Sequence, residues 1–199
     1  MAVPPFIGLT GGVASGKSEA LAAFERHGAA TISADAVVHE LLADAELVAL
    51  VTERWGEEVA PEGRVDRAAI ARRVFGDSDE LRWLESQLHP RVGARIWEWR
   101  TSLPEGAPAA IVEVPLLFET GMDAGFDATV AIVAGEELRR ERAARRGVTD
   151  EEGRSARQLG EEEKAARATH TIVNDGSLED LDAAVARLLA RIAGDGAAR

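Results

Sequence analysis

The 199-residue chain contains no cysteine. That excludes disulfides, thiolate zinc sites and cysteine nucleophiles, and it is compatible with a cytoplasmic location. No apolar run approaches the ~20 residues of a membrane-crossing helix, so no membrane partner is expected. Met1-Ala2-Val3-Pro4-Pro5 lacks a basic stretch followed by an apolar one, so no secretory signal is expected. Positive charge is also scarce: 23 Lys and Arg stand against 35 Asp and Glu, a net charge of −12. So acidic a chain is a poor general binder of nucleic acid, and none is expected as a partner. A polyanionic ligand must be held by a local basic cluster. One such cluster exists in Arg139, Arg140, Arg142, Arg145 and Arg146. His27, His39 and His170 stand alone, without the spacing of a metal site. There is no internal repeat, low-complexity tract or sustained heptad, and oligomeric state is not determined by the sequence.

The composition, 46% hydrophobic and 29% charged, is that of a globular domain with room for one sizeable core and an insertion. Within it, Gly11-Gly12-Val13-Ala14-Ser15-Gly16-Lys17-Ser18 reads G-x-x-x-x-G-K-S, a phosphate-binding P-loop. The flanks agree. Phe6 to Thr10 is a short apolar run that reads as a buried strand, and Glu19 to Glu25 is helix-forming and amphipathic. In that context the glycines permit close backbone approach, and the loop N–H groups face the phosphates of a nucleoside triphosphate. Lys17 is expected on the β- and γ-phosphates and Ser18 on Mg²⁺.

Further apolar runs near 29–33, 109–114, 128–133 and 170–173 read as strands alternating with helices, which predicts a parallel α/β sheet flanked by helices. One helix is expected over 36–52. A second pair is expected to be interrupted at His89-Pro90, because proline lacks the N–H a helix interior needs. Asp77 with Glu80, and Thr149 with Glu152, resemble capping boxes. The helical stretch between the second and third strands is too long for a plain crossover and reads as an inserted substrate-side subdomain.

Several residues can carry chemistry. Ligands of parallel sheets bind beyond the carboxyl ends of strands, and Asp35 follows the second strand. A carboxylate there can orient an acceptor hydroxyl and take its proton, or it can simply cap a helix. Glu113 ends the third strand, where an acid can hold Mg²⁺ through water or face solvent. Glu119 can position a substrate or bind an arginine of its own fold. The arginine cluster can close over a transferring phosphoryl group, with Arg142 and Arg145 on one helix face, or it can be a solvated surface paired with Glu136, Glu137 and Glu141. His89 can bond a phosphate or ribose, or be a structural histidine at a bend. Trp83 can stack on a base or serve packing.

In this order the motifs resemble the dephospho-CoA kinase family over nearly the whole chain. The resemblance is carried by Ile7 to Ser18, Ile32-Ser33-Ala34-Asp35, Gly63-Arg64-Val65-Asp66-Arg67 with Val74-Phe75, Leu88-His89-Pro90, Glu113-Val114-Pro115-Leu116-Leu117-Phe118-Glu119 and Asn174-Asp175-Gly176. It implies a P-loop kinase with a five-stranded parallel sheet, a core over 1–35, 109–135 and 170–199, a CoA-side helical insertion over 36–108 and a helical lid over 136–169. It implies transfer of the ATP γ-phosphoryl group to the ribose 3′-hydroxyl of dephospho-CoA, with Mg²⁺. Asp35 is then base or orienting group, Lys17 and Ser18 serve phosphates and metal, and Arg142 and Arg145 belong to the lid. His89, Pro115 and Leu116 lie on the acceptor side, and Asn174 is in the adenine-side loop. The chain departs from the family pattern in having Glu113 where Asp is common and Arg145-Arg146-Gly147 where Arg-Asp-Gly is usual.

Two other readings remain open. A different P-loop small-molecule or nucleoside monophosphate kinase would use the same parts. A GTPase-like switch would need an Asn-Lys-x-Asp motif, which is absent, and Asp150 to Gly153 matches D-x-x-G only formally.

Overall fold

The computed structural model describes residues 3–145 and 158–197. Five parallel strands form its sheet: β1 (Phe6–Gly11), β2 (Ala30–Ser33), β3 (Ala110–Glu113), β4 (Ala128–Val133) and β5 (His170–Val173), in the order β2-β3-β1-β4-β5. β1 is central and buried along its whole length, as its unbroken apolar pattern requires. The register aligns Leu9 and Ser33 with Glu113, Gly11 with Ile132, and Val133 with Val173. All five carboxyl ends therefore lie along one edge, the edge at which parallel sheets bind ligands.

The helices are α1 (Lys17–Arg26), α2 (Ala34–Leu41), α3 (Ala45–Trp55), α4 (Arg67–Val74), α5 (Ser78–Thr101), α6 (Glu136–Arg145), α7 (Glu161–Arg167) and α8 (Leu178–Ala197). They fall into two compact units. The first comprises the described residues up to Ser33 and from Ser102 onward, and holds the sheet with α1, α6, α7 and α8. Its core joins Ile7, Leu9, Ile111 and Ile132 of the sheet to Phe24 of α1 and Val185 of α8. The second, Ala34–Thr101, is all helical and packs Val51, Trp55, Val59, Ile70 and Leu84 together.

Three expectations change here. The single helix over 36–52 is two, because Asp44 caps α3 by accepting from Glu46 N (2.9 Å) and Leu47 N (3.4 Å). The break at His89-Pro90 is absent, and α5 runs through Pro90. Proline orphans only the carbonyl of Ser86, and both residues are exposed, so water can take that bond. The capping box at Asp77 is half formed. Asp77 accepts from Asp79 N and Glu80 N, but Glu80 turns away to Arg54 (2.8 Å) and the Trp55 indole N–H (2.8 Å). Trp83 lies edge-on to Trp55 at 5.0 Å with Arg54 over its ring, which is packing. The box at Thr149 and the formal D-x-x-G fall outside the described residues.

Candidate active site

The P-loop connects β1 to α1. Its last turn is possible only because Gly16 adopts φ 99°, ψ 22° at the helix start, a left-handed conformation that side chains resist. Space is equally restrictive. A Cβ on Gly16 would lie 2.2 Å from Asn174 Nδ2, and one on Gly12 would lie 2.4 Å from Glu161 Oε1. Val13 and Ala14 form the turn between, Ala14 with φ 58°. The Lys17 ammonium reaches back across the loop to Gly11 O (3.1 Å) and Gly12 O (2.7 Å), so a cation already stands in the loop's mouth. Ser18 follows in the first turn of α1, whose leading N–H groups have no partner inside the helix.

Around the loop the other carboxyl ends contribute polar groups. At the end of β3, Glu113 is buried and accepts from the Ser33 hydroxyl at 2.7 Å. Its reading as a solvent-facing acid is therefore excluded. Past β5, Asn174 is 4% exposed and donates from Nδ2 to Ser15 O at 2.8 Å, while its backbone N–H donates to Val133 O. Its side chain is thus committed to bracing the P-loop from behind. Asp35 stands two residues past Ser33, inside the first turn of α2, which begins at Ala34. It is therefore not the cap of that helix, although an acid there suits the helix dipole.

The arginines of α6 separate by environment. Arg139 donates to Ala134 O (3.1 Å) and lies 3.5 Å from Glu161 Oε1, so it is anchored to the end of β4. Arg140 pairs with Glu136, and exposed Arg145 with Glu141 at 3.7 Å. Arg142 keeps one buried guanidinium nitrogen, Nη1, with no hydrogen-bond partner among the described residues. Arg146 lies outside the described residues. His89 is exposed on α5.

Two residues escaped the sequence reading. Lys164 of α7 is fully buried, and its ammonium contacts Pro115 O (2.7 Å), Glu119 Oε1 (2.9 Å) and Thr10 Oγ1 (3.4 Å). Glu119 thus binds a lysine of its own fold and not an arginine. Burial pushes its carboxyl up, but bonds from Lys164 and from Leu159 N outweigh that and hold it below its ordinary value. The second is Glu161, which accepts from Ala134 N at 2.7 Å. Both sit in the run Glu161-Glu162-Glu163-Lys164, which by sequence reads as a solvated helix face.

No cluster of three His, Asp or Glu that could hold a metal exists among the described residues. Ser18 and Glu113 supply hard oxygen donors, which fit a Mg²⁺ ion whose remaining ligands are phosphates and water. No helix of the described residues is long and apolar enough to cross a membrane.

A P-loop at the carboxyl end of the central strand, with an arginine-bearing helix after β4, defines a P-loop kinase, which uses ATP as co-substrate on a small-molecule acceptor. The dephospho-CoA kinase family model matches residues 5–180, and the chain belongs to that family. It is 42% identical over 179 residues to the dephospho-CoA kinase of Symbiobacterium thermophilum, covering 87% of this chain and 75% of the relative. A crystal structure from Thermus thermophilus superposes with a TM-score of 0.80 at 37% identity, covering 94% of this chain and 97% of the other. The dephospho-CoA kinase of Campylobacter jejuni gives 0.65 at 25% identity, with 96% and 98% covered.

Proposed function

We propose that the chain transfers the ATP γ-phosphoryl group to the ribose 3′-hydroxyl of dephospho-CoA, yielding CoA and ADP. The observation that carries this reading is the P-loop itself, with Gly16 left-handed at the start of α1 and the Lys17 ammonium held across the loop. The polyphosphate displaces Lys17 from the Gly11 and Gly12 carbonyls and takes its ammonium on the β- and γ-oxygens. Asn174 keeps the loop open behind it. The acceptor oxygen attacks the γ-phosphorus as the bond from that phosphorus to the β,γ-bridging oxygen breaks, and ADP leaves with that oxygen. The hydroxyl proton passes to the Asp35 carboxylate. Arg142 and Arg145 neutralise charge on the transferring group. Ser18 and Glu113 would hold Mg²⁺, which when bound screens the phosphate oxygens. Pro115, Leu116 and His89 serve the acceptor, the helical unit is its binding subdomain, and α6 begins a lid.

Incubating the full chain with ATP and Mg²⁺, and each of dephospho-CoA and a panel of nucleoside monophosphates, tests the proposal. ADP release with CoA detected by mass is expected for the first alone. Rapid phosphorylation of a monophosphate with none of dephospho-CoA would overturn it in favour of a nucleoside monophosphate kinase.

A further inference from the structure

Lys164 is the largest charged side chain with no exposure in the molecule's described core. An ammonium has three donors, and three oxygens surround this one: Pro115 O, Glu119 Oε1 and Thr10 Oγ1. The Thr10 hydroxyl in turn donates to Pro115 O at 3.2 Å. Glu119 Oε1 also accepts from Leu159 N at 2.8 Å, and Glu119 Oε2 is buried with no partner among the described residues. Burying two charges is costly, and stability alone would be served as well by apolar side chains.

The three elements joined are α7, the end of β1 before the P-loop, and the turn that leaves β3. They are not equally in need of support. Thr10 lies within β1 and is paired through the backbone to Ala131 of β4. Pro115 lies beyond the end of β3, past the last backbone bond, from Val114 N to Leu9 O, that ties this segment to β1. Its carbonyl is held by the side chains of Lys164 and Thr10.

We infer that Lys164 is a positioning residue. With Glu119 fixing its ammonium, it sets the place of the Pro115–Leu116 turn relative to the P-loop, and so the place of the acceptor and not of the nucleotide. The inference rests on the proposed function for the identity of the acceptor.

The test uses the full chain carrying the double substitution Lys164→Met and Glu119→Leu, which removes both charges and leaves neither stranded. Thr10→Val is the milder second variant, keeping the ion pair while removing a bond to Pro115 O. Melting temperature, ATP affinity by calorimetry, kcat/KM for dephospho-CoA, and hydrogen exchange of the amides of residues 117–122 are measured against wild type. The expected result for the double variant is a fall of about 10-fold or more in kcat/KM, with ATP affinity within about threefold and faster exchange at 117–122. A smaller fall of the same pattern is expected for Thr10→Val, and it decides the matter if the double variant does not fold. Folded variants with wild-type kcat/KM, or with unchanged exchange at 117–122, would overturn the inference. So would ATP affinity falling in step with kcat/KM. If wild type binds ATP yet leaves dephospho-CoA untouched, the proposed function fails, and the exchange measurement still decides the role of Lys164.

Discussion

On the proposed function, single residues at the carboxyl edge of the sheet divide the chemistry among them. Lys17 is already oriented over the loop, so Lys17→Ala is expected to abolish turnover. Asp35→Asn keeps shape but cannot accept a proton, and a loss in kcat of about 10²-fold or more is expected with ATP still bound. Steady-state kinetics beside ATP calorimetry check both, and near-normal turnover in Asp35→Asn would remove it from the chemistry. The arginines can now be ranked. Arg142 holds a buried nitrogen with no partner among the described residues, whereas Arg145 is exposed and paired with Glu141. Arg142→Ala is expected to lower kcat by about 10²-fold and Arg145→Ala by less than about 10-fold. The reverse order in the same assay would make Arg145 the phosphate contact. The places of Lys17, Ser18 and Asp35 in the fold were legible in the sequence because motif and strand position coincide. Lys164 was not. Three acids before it imitate a surface ion-pair run, and only its approach to Pro115 and Glu119 separates it from one.

At the scale of elements, the five strands fall within a residue or two of their sequence positions, because buried parallel strands are unbroken apolar runs. Helix boundaries were less legible where a cap hides inside a periodic pattern. Val37, Leu41, Leu42 and Val48 keep a helical spacing across the break, so Asp44 looked like an interior residue. Asp44→Ala is expected to cost about 1 kcal/mol, the usual value of an N-cap. Urea unfolding followed by far-ultraviolet circular dichroism checks this, and an unchanged midpoint would show that packing of Leu47 and Val51 alone sets the start of α3. Pro90 was misleading in the opposite sense. Local propensity favours a break, but a long helix with Leu84, Val92 and Ile96 buried on either side outweighs one missing bond on an exposed face.

Across the whole molecule, acidity and ion pairing couple through Glu119. Its folded carboxyl is held below the ordinary value, so its stabilisation is complete above the ordinary carboxylate pKa. It is lost as pH falls from there through the folded value. Glu119→Gln leaves the Lys164 charge without its counter-ion, and a loss of about 3 kcal/mol at neutral pH is expected. The gap from wild type is expected to narrow steadily as pH drops below about 5. Urea unfolding at a series of pH values checks the sign, and a gap that widens on acidification would contradict it. The net charge of −12 has a second consequence at this scale. Anionic substrates approach against the overall field, and on the proposed function the loop lysine and the α6 arginines supply the local attraction.

The sequence by itself determined the class of fold, the phosphate-binding loop and the family, because each depends on residues adjacent in the chain: an apolar run, a glycine spacing, a capped helix start. Only the tertiary structure decided the partners. Asn174 behind Ser15, Ser33 against Glu113, and Lys164 between Thr10, Pro115 and Glu119 join residues far apart in sequence. Such pairings come into being when parallel strands align their carboxyl ends, and no local pattern records them.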